Sequence, residues 1–274
     1  MTAVFLWGAA DFAGGYGSRR ANAFVLTAFS HICAFGLMFA IALGQHGAFP
    51  SRASIVWAVI AGASGGFSLA LFYRALASGQ MGLTAPVAAL VGAAIPTMVD
   101  IALEGAPSRW TIGGFVLAVL AIWLLTRPEP SNATEPSGRP AGVGLAALAG
   151  VGFAGFYLCV RQAGDASAFW IACFTRAGGL IVTGLIVLLQ AKFRDITAAG
   201  VRWGLLTGCI DSLGTMLFVR ASQTGRLDEA VVISSLYPAV TVLLARLFLD
   251  EHFTRWRFVG LLAALAAVPM IASS

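Results

Sequence analysis

Along this chain long apolar stretches alternate with short polar breaks, and inside the stretches there is no two-residue alternation of apolar and polar positions. A helix needs about 20 residues to cross a hydrocarbon core. At that length the stretches resolve into ten runs: 2–20, 23–43, 54–77, 80–103, 110–126, 141–161, 168–190, 200–221, 227–249 and 256–273. The lack of alternation argues against the strands of a transmembrane barrel. The first run is the weakest, being glycine-rich and interrupted by Asp11. It lacks the basic start of a secretory leader, and further spans follow it rather than a secreted domain. Residues 127–140, RPEPSNATEPSGRP, carry four prolines and no apolar periodicity. They read as a polar extra-membrane linker between residues 1–126 and 141–274.

Composition narrows the class. Apolar residues make up 59% of the chain and charged ones 11%, against about 25% charged in an average soluble domain. Mean hydropathy is +0.87. So few charges cannot cover a water-soluble surface. The expected fold is an all-α integral membrane protein of ten transmembrane helices, multi-pass in the plasma membrane. The net charge of +5 does not point to nucleic acid, because the arginines sit between the apolar runs, where membrane proteins keep them. Cys33, Cys159, Cys173 and Cys209 all fall inside spans and form no C-x-x-C pair. They read as small packing residues rather than a zinc site or disulfide framework. The sequence has no P-loop, H-E-x-x-H or G-x-S-x-G motif, and no catalysis, cofactor or metal is expected.

The two parts repeat. Displaced by 146 positions, Trp57 falls on Trp203, Gly62 on Gly208, and Leu71-Phe72-x-Arg74-Ala75 on Leu217-Phe218-x-Arg220-Ala221. Arg109-Trp110 then falls on Arg255-Trp256, and Gly114 on Gly260. Leucine and glycine matches are cheap in this composition, but two tryptophan and two arginine matches in one gap-free register are not. Five spans per half is an odd number, so the second copy must enter the membrane from the opposite side. That arrangement is a 5+5 inverted-topology repeat, common among secondary transporters. Ala58, Gly62 and Gly66 lie four apart, as do Gly204, Gly208 and Ser212. Small residues at this spacing let helix backbones meet, so Gly62, Gly66 and Gly208 are assigned to helix packing. Ser108 and Thr254 each precede Arg-Trp and suit the N-caps of spans five and ten.

Phe5-Leu6-Trp7-Gly8-x-x-Asp11-Phe12 opens the chain, and Arg220-Ala221 closes span eight. Ser234-Ser235-Leu236-Tyr237-Pro238 and Leu249-Asp250-Glu251-x3-Arg255-Trp256-x3-Gly260 follow, echoed in the first half by Ala75-Leu76, Pro86, Pro96, Leu103-Glu104, Trp110 and Gly114. In these motifs, their order and their duplication the sequence resembles the EamA-type transporters of the drug/metabolite transporter superfamily. It departs from that pattern where Gly105 stands opposite Glu251 and Gly92 opposite Pro238. The resemblance implies a cavity lined by spans one, three, four, six, eight and nine.

An ionisable side chain within the bilayer is costly and is a functional candidate by default. Asp11, Asp211, Arg176 and His31 all lie near the middle of their spans. By the resemblance Asp11 and Asp211 face the pathway, while His31 and Arg176 belong to outer spans. A desolvated carboxyl group can exchange protons near neutral pH, which makes Asp211 and Asp11 candidates for proton coupling. The alternative for Asp211 is an ion pair with Arg176, which could otherwise anchor a substrate carboxylate. His31 reads as a hydrogen-bonded packing residue. Trp7, Tyr157, Ser234, Ser235 and Tyr237 add amphipathic and hydroxyl groups on spans that the resemblance places beside the cavity. As a set they suit a small, partly polar substrate.

Ten Lys and Arg residues lie in odd-numbered loops against five in even-numbered ones. The charge rule would therefore put the odd loops in the cytoplasm. The resemblance implies cytoplasmic termini, and this orientation is the one expected here. The function expected is that of a secondary-active permease, exporting small metabolites such as amino acids by alternating access. Its partners would be a small-molecule substrate, the lipid bilayer and protons as coupling ion, with no nucleic acid and as a monomer. Drug efflux on the same fold is the alternative. An intramembrane enzyme is disfavoured because the repeat gathers no nucleophile or metal spacing. A non-transporting scaffold is disfavoured because no segment is long enough for a partner domain.

Overall fold

In a computed structural model the structure describes residues 2–45, 47–79, 81–104, 108–126, 142–164, 167–190, 192–224, 237–250 and 254–272. Among these residues the chain forms ten α-helices and no strand: α1 (Thr2–Ser18), α2 (Ala23–Gly44), α3 (Arg52–Ser78), α4 (Met81–Glu104), α5 (Arg109–Thr126), α6 (Val143–Gln162), α7 (Ala168–Leu189), α8 (Ala198–Thr224), α9 (Tyr237–Leu249) and α10 (Arg255–Ala272). A short 3-10 turn, Lys192–Asp195, precedes α8. By length and composition five of them can cross a membrane: α2, α3, α4 over Met81–Leu103, α6 and α7. The predicted runs match the helices to within a few residues, save at the ninth. There the described helix starts at Tyr237 rather than 227. The 127–140 linker lies outside the described residues.

Helix ends follow local chemistry. Asn22 Oδ1 accepts the Phe24 N–H at 3.0 Å and opens α2, while its Nδ2 donates to Asp195 at 3.0 Å. Ser51 Oγ accepts the Ser54 N–H at the start of α3. Ser108 Oγ accepts the Thr111 N–H at 3.1 Å at the start of α5. Thr254 begins the ladder of α10, its carbonyl accepting from Phe258 at 3.0 Å. Helix α4 runs through both Pro86 and Pro96. Such breaks are tolerated in a bundle whose neighbouring helices can satisfy the freed carbonyls.

Helix α3 packs on α6 and α7, α8 on α1 and α2, α4 on α6 and α10, α9 on α1 and α4, and α5 on α10. The core between them is lined by Leu26, Phe72, Tyr73, Leu76, Met81, Leu83 and Leu90, all almost fully buried. The exterior is the reverse of a soluble protein's. Trp110, Val119, Leu189 and Phe248 are all more than two-thirds exposed. Water would penalise such a surface, whereas lipid chains solvate it.

Glycines set how closely the helices approach. A methyl group on Gly62 of α3 would strike the Thr175 carbonyl of α7, and one on Gly66 would strike Gly179. On the other side Gly204 and Gly208 of α8 lie against the Leu26 and Ser30 carbonyls of α2. At both crossings the two backbones touch, which no side chain beyond hydrogen permits.

Candidate functional site

Two ionisable groups pair inside the bundle, with a third within electrostatic range. Arg176 on α7 reaches across to Asp211 at the middle of α8, with Nη2 2.6 Å from Oδ2. Both side chains are only about one-fifth exposed. The same Nη2 donates to Thr215 Oγ1 at 3.4 Å, one turn along α8 from Asp211. Thr215 Oγ1 also accepts the indole N–H of Trp7 at 3.3 Å. Helices α1, α7 and α8 are thus joined through one hydroxyl group. Gly214 makes room for this, because the Trp7 ring lies where its Cβ would be. Charge assistance makes the arginine contacts the strong members of the set.

Asp11 lies one turn beyond Trp7 on α1. Among the described residues it has no ion-pair or hydrogen-bond partner, although Asp211 is within electrostatic range. Tyrosines from three other helices lie within electrostatic range of it instead. The Tyr73 ring of α3 lies over Gly14, where a methyl group would strike its phenol end. Tyr73 interacts electrostatically with Asp11, Asp211 and Arg176. Tyr157 of α6 and Tyr237 of α9 also lie within electrostatic range of Asp11. The Tyr237 ring meets the Trp7 ring edge-on, with centroids 6.4 Å apart. Tyr157 shares the helical face of the buried Ala146, Gly150 and Ala154, yet it is itself 52% exposed. On that face exposure means an opening within the bundle rather than contact with lipid. Thr241 Oγ1 donates to the Gly8 carbonyl at 3.1 Å and ties α9 to α1 beside this opening.

The structure therefore brings Trp7, Asp11, Tyr157, Arg176, Asp211 and Tyr237 together. Arg176 comes from α7, a span expected to be an outer one, and its length carries the charge inward. Ser234 and Ser235 lie outside the described residues. His31 is 3% exposed and sits between Gly66 and Gly179, where α2, α3 and α7 cross. Neither ring nitrogen has a hydrogen-bond partner among the described residues. It is a packing residue, but not the hydrogen-bonded one expected, because the two glycines that admit the ring offer it no side chain. Tyr73 and Thr215 are members that the sequence reading missed. Tyr73 occupies the unmatched position of the Leu71-Phe72-x-Arg74 motif, and that was its one available signal. Thr215 had none. Cys33 of α2 and Cys209 of α8 also meet, with sulfurs 3.5 Å apart.

No group of three His, Cys, Asp or Glu side chains suited to a metal ion occurs among the described residues. An open groove of about 410 Å³ between α3, α4 and α6 is lined by Trp57, Leu103 and Arg161 among others. It contains none of the clustered residues.

A comparison with protein families matches residues 140–273 to the EamA-like transporter family. This part of the chain is similar to that family. The family belongs to the drug/metabolite transporter superfamily and consists of membrane transporters. The matched segment holds α6 to α10, and so Tyr157, Arg176, Asp211, Thr215 and Tyr237 of the cluster. The chain is also 28% identical over 95 residues to an uncharacterized protein of Methanocaldococcus jannaschii, across 34% of this chain and 69% of that protein. A protein of known crystal structure superposes with a TM-score of 0.65 at 15% identity, covering 99% of this chain and 94% of that one. The EamA-like unit thus lies within a ten-helix fold that has a counterpart of nearly the same extent.

Proposed function

We propose that this protein is a secondary-active transporter that exports small metabolites such as amino acids across the plasma membrane by alternating access, with protons as the coupling ion. The observation that carries the reading is Asp11, without a partner among the described residues, beside a paired Asp211–Arg176 in the middle of an EamA-like bundle. A carboxyl group removed from water and free of a fixed counter-charge can take up and release a proton as its surroundings alternate. The Asp211–Arg176 pair then holds α7 to α8, and Asp11 is the exchanging acid.

The 5+5 inverted repeat belongs to the same proposal. The 146-residue register makes α1, α2 and α3 the counterparts of α6, α7 and α8. Packing partners exchange accordingly: α3 lies on α6 and α7, while α8 lies on α1 and α2. Two halves related in this way can rock about a central site.

The test is flux in proteoliposomes, with and without an imposed pH gradient, across a panel of labelled amino acids and other small metabolites. Wild-type protein should concentrate at least one of them when the gradient is present. Asp11→Asn should lose gradient-driven accumulation of that compound, because the amide carries no titrating proton. Full accumulation by Asp11→Asn would remove the coupling role from this residue. Absence of flux for every compound tested would overturn transport itself.

A further inference from the structure

We infer that the group this site recognises on its cargo is a single ammonium ion carried next to an apolar or aromatic body. The inference rests on the transport reading of the same site and narrows its small metabolites to amines, in place of zwitterionic amino acids.

Charge comes first. The cluster holds two carboxylates, Asp11 and Asp211, and one guanidinium, Arg176. Arg176 spends its charge on Asp211 at 2.6 Å and is further held by Thr215 at 3.4 Å. With Asp11 ionised the balance is one negative charge, and no cation among the described residues answers it. In a site of low dielectric an uncompensated charge is expensive. A monovalent cation removes that cost, a zwitterion only moves it, and an anion doubles it. A cargo carboxylate would also lie near Asp11 and Asp211, and it would find Arg176 Nη2 already given to Asp211 and Thr215.

The walls point the same way. Trp7 lies one turn before Asp11 on the same helix, and Tyr73 lies over Gly14, one turn after it. The Tyr157 and Tyr237 phenols come from two further helices. Aromatic faces attract cations through their quadrupole, tryptophan most strongly. A carboxylate with such rings nearby matches an alkylammonium group, its charge on the acid and its carbon body on the rings. Helices from both parts of the chain supply the frame: α1 and α3 from the first, α6 and α9 from the second. Closing around the cargo would therefore draw the two parts together.

The test uses three ligands with the same ring and similar chain length. They are phenethylamine (a cation), phenylalanine (a zwitterion) and phenylpropionate (an anion), titrated calorimetrically into full-length protein in detergent. Phenethylamine should bind, and phenylpropionate should bind at least about tenfold more weakly. Asp11→Asn should weaken phenethylamine at least about tenfold, and Asp11→Glu should restore it, with thermal unfolding confirming that both variants fold. The wild-type comparison needs no variant. Phenylpropionate binding as tightly as phenethylamine overturns the inference, as does phenylalanine binding tenfold more tightly or no binding of phenethylamine at all. The same ligands in proteoliposomes separate the two readings. Phenethylamine binding without flux of any compound overturns transport and leaves the ammonium site. Flux of other metabolites without phenethylamine binding overturns the ammonium site and leaves transport.

Discussion

Asp211 and Arg176 form a pair whose members depend on each other. Their side chains are 23% and 19% exposed, so the loss of one leaves the other charged and poorly solvated. Asp211→Asn should lower stability by about 3 kcal/mol, the lower end for a broken buried pair. Adding Arg176→Gln should recover part of the loss. Thermal unfolding and folded yield in detergent check this, and an Asp211→Asn protein with wild-type unfolding would mean that the pair holds nothing. The charged members of the cluster were legible in the sequence because a charge inside an apolar run stands out. The choice between pairing and proton exchange at Asp211 was not legible, because it depends on which residue of α7 faces α8. Tyr73 and Thr215 were hidden for a related reason. A tyrosine or threonine is ordinary in an apolar helix until a neighbouring helix brings it a partner.

At the level of elements the bundle is governed by how near two backbones can come. Gly62→Ala and Gly208→Ala should each destabilise, because the added methyl group meets a carbonyl of the opposing helix. Leucine at either position should abolish assembly or flux. Gly184 of α7 is the control, since nothing lies within 4 Å of its would-be Cβ. Gly184→Ala should be neutral or stabilising by about 0.5–1 kcal/mol, from helix propensity alone. Unfolding of the three alanine variants side by side measures the contrast. The four-residue spacing of small residues was visible in the sequence. Whether a small residue faces a helix or lipid was not, because glycine satisfies both surroundings. The Cys33–Cys209 contact offers a second check on α2 and α8. With the sulfurs 3.5 Å apart, copper-phenanthroline should oxidise the pair to a disulfide. A protease site inserted in the 127–140 linker would then release two fragments that stay joined until reduced. Fragments that separate without reductant would mean that α2 and α8 do not meet as described.

For the whole molecule the open quantities are symmetry and sidedness. Residues 57–114 should superpose on 203–260 after a roughly two-fold rotation about an axis in the membrane plane, as an experimental structure would measure. Superposition about the membrane normal would defeat the inverted repeat. With cytoplasmic termini, five spans place the linker outside the cell. A single cysteine there, in a chain whose native Cys33, Cys159, Cys173 and Cys209 are replaced, should react with an impermeant thiol reagent in intact cells. Protection would favour the charge count instead.

By itself the sequence determined that this is a helical membrane protein, where its helices run and that residues 57–114 resemble 203–260 at a displacement of 146. Hydrophobic length and self-similarity are properties of consecutive residues, and the solvent around each span reads them directly. Only the tertiary structure decided that Arg176 belongs to Asp211 and that Asp11 has no ion-pair partner among the described residues. It alone brought Tyr73, Tyr157 and Tyr237 within electrostatic range of that acid. These are meetings of side chains from α1, α3, α6, α7, α8 and α9, distant in the chain, and their geometry is set by glycine-lined crossings far from the site.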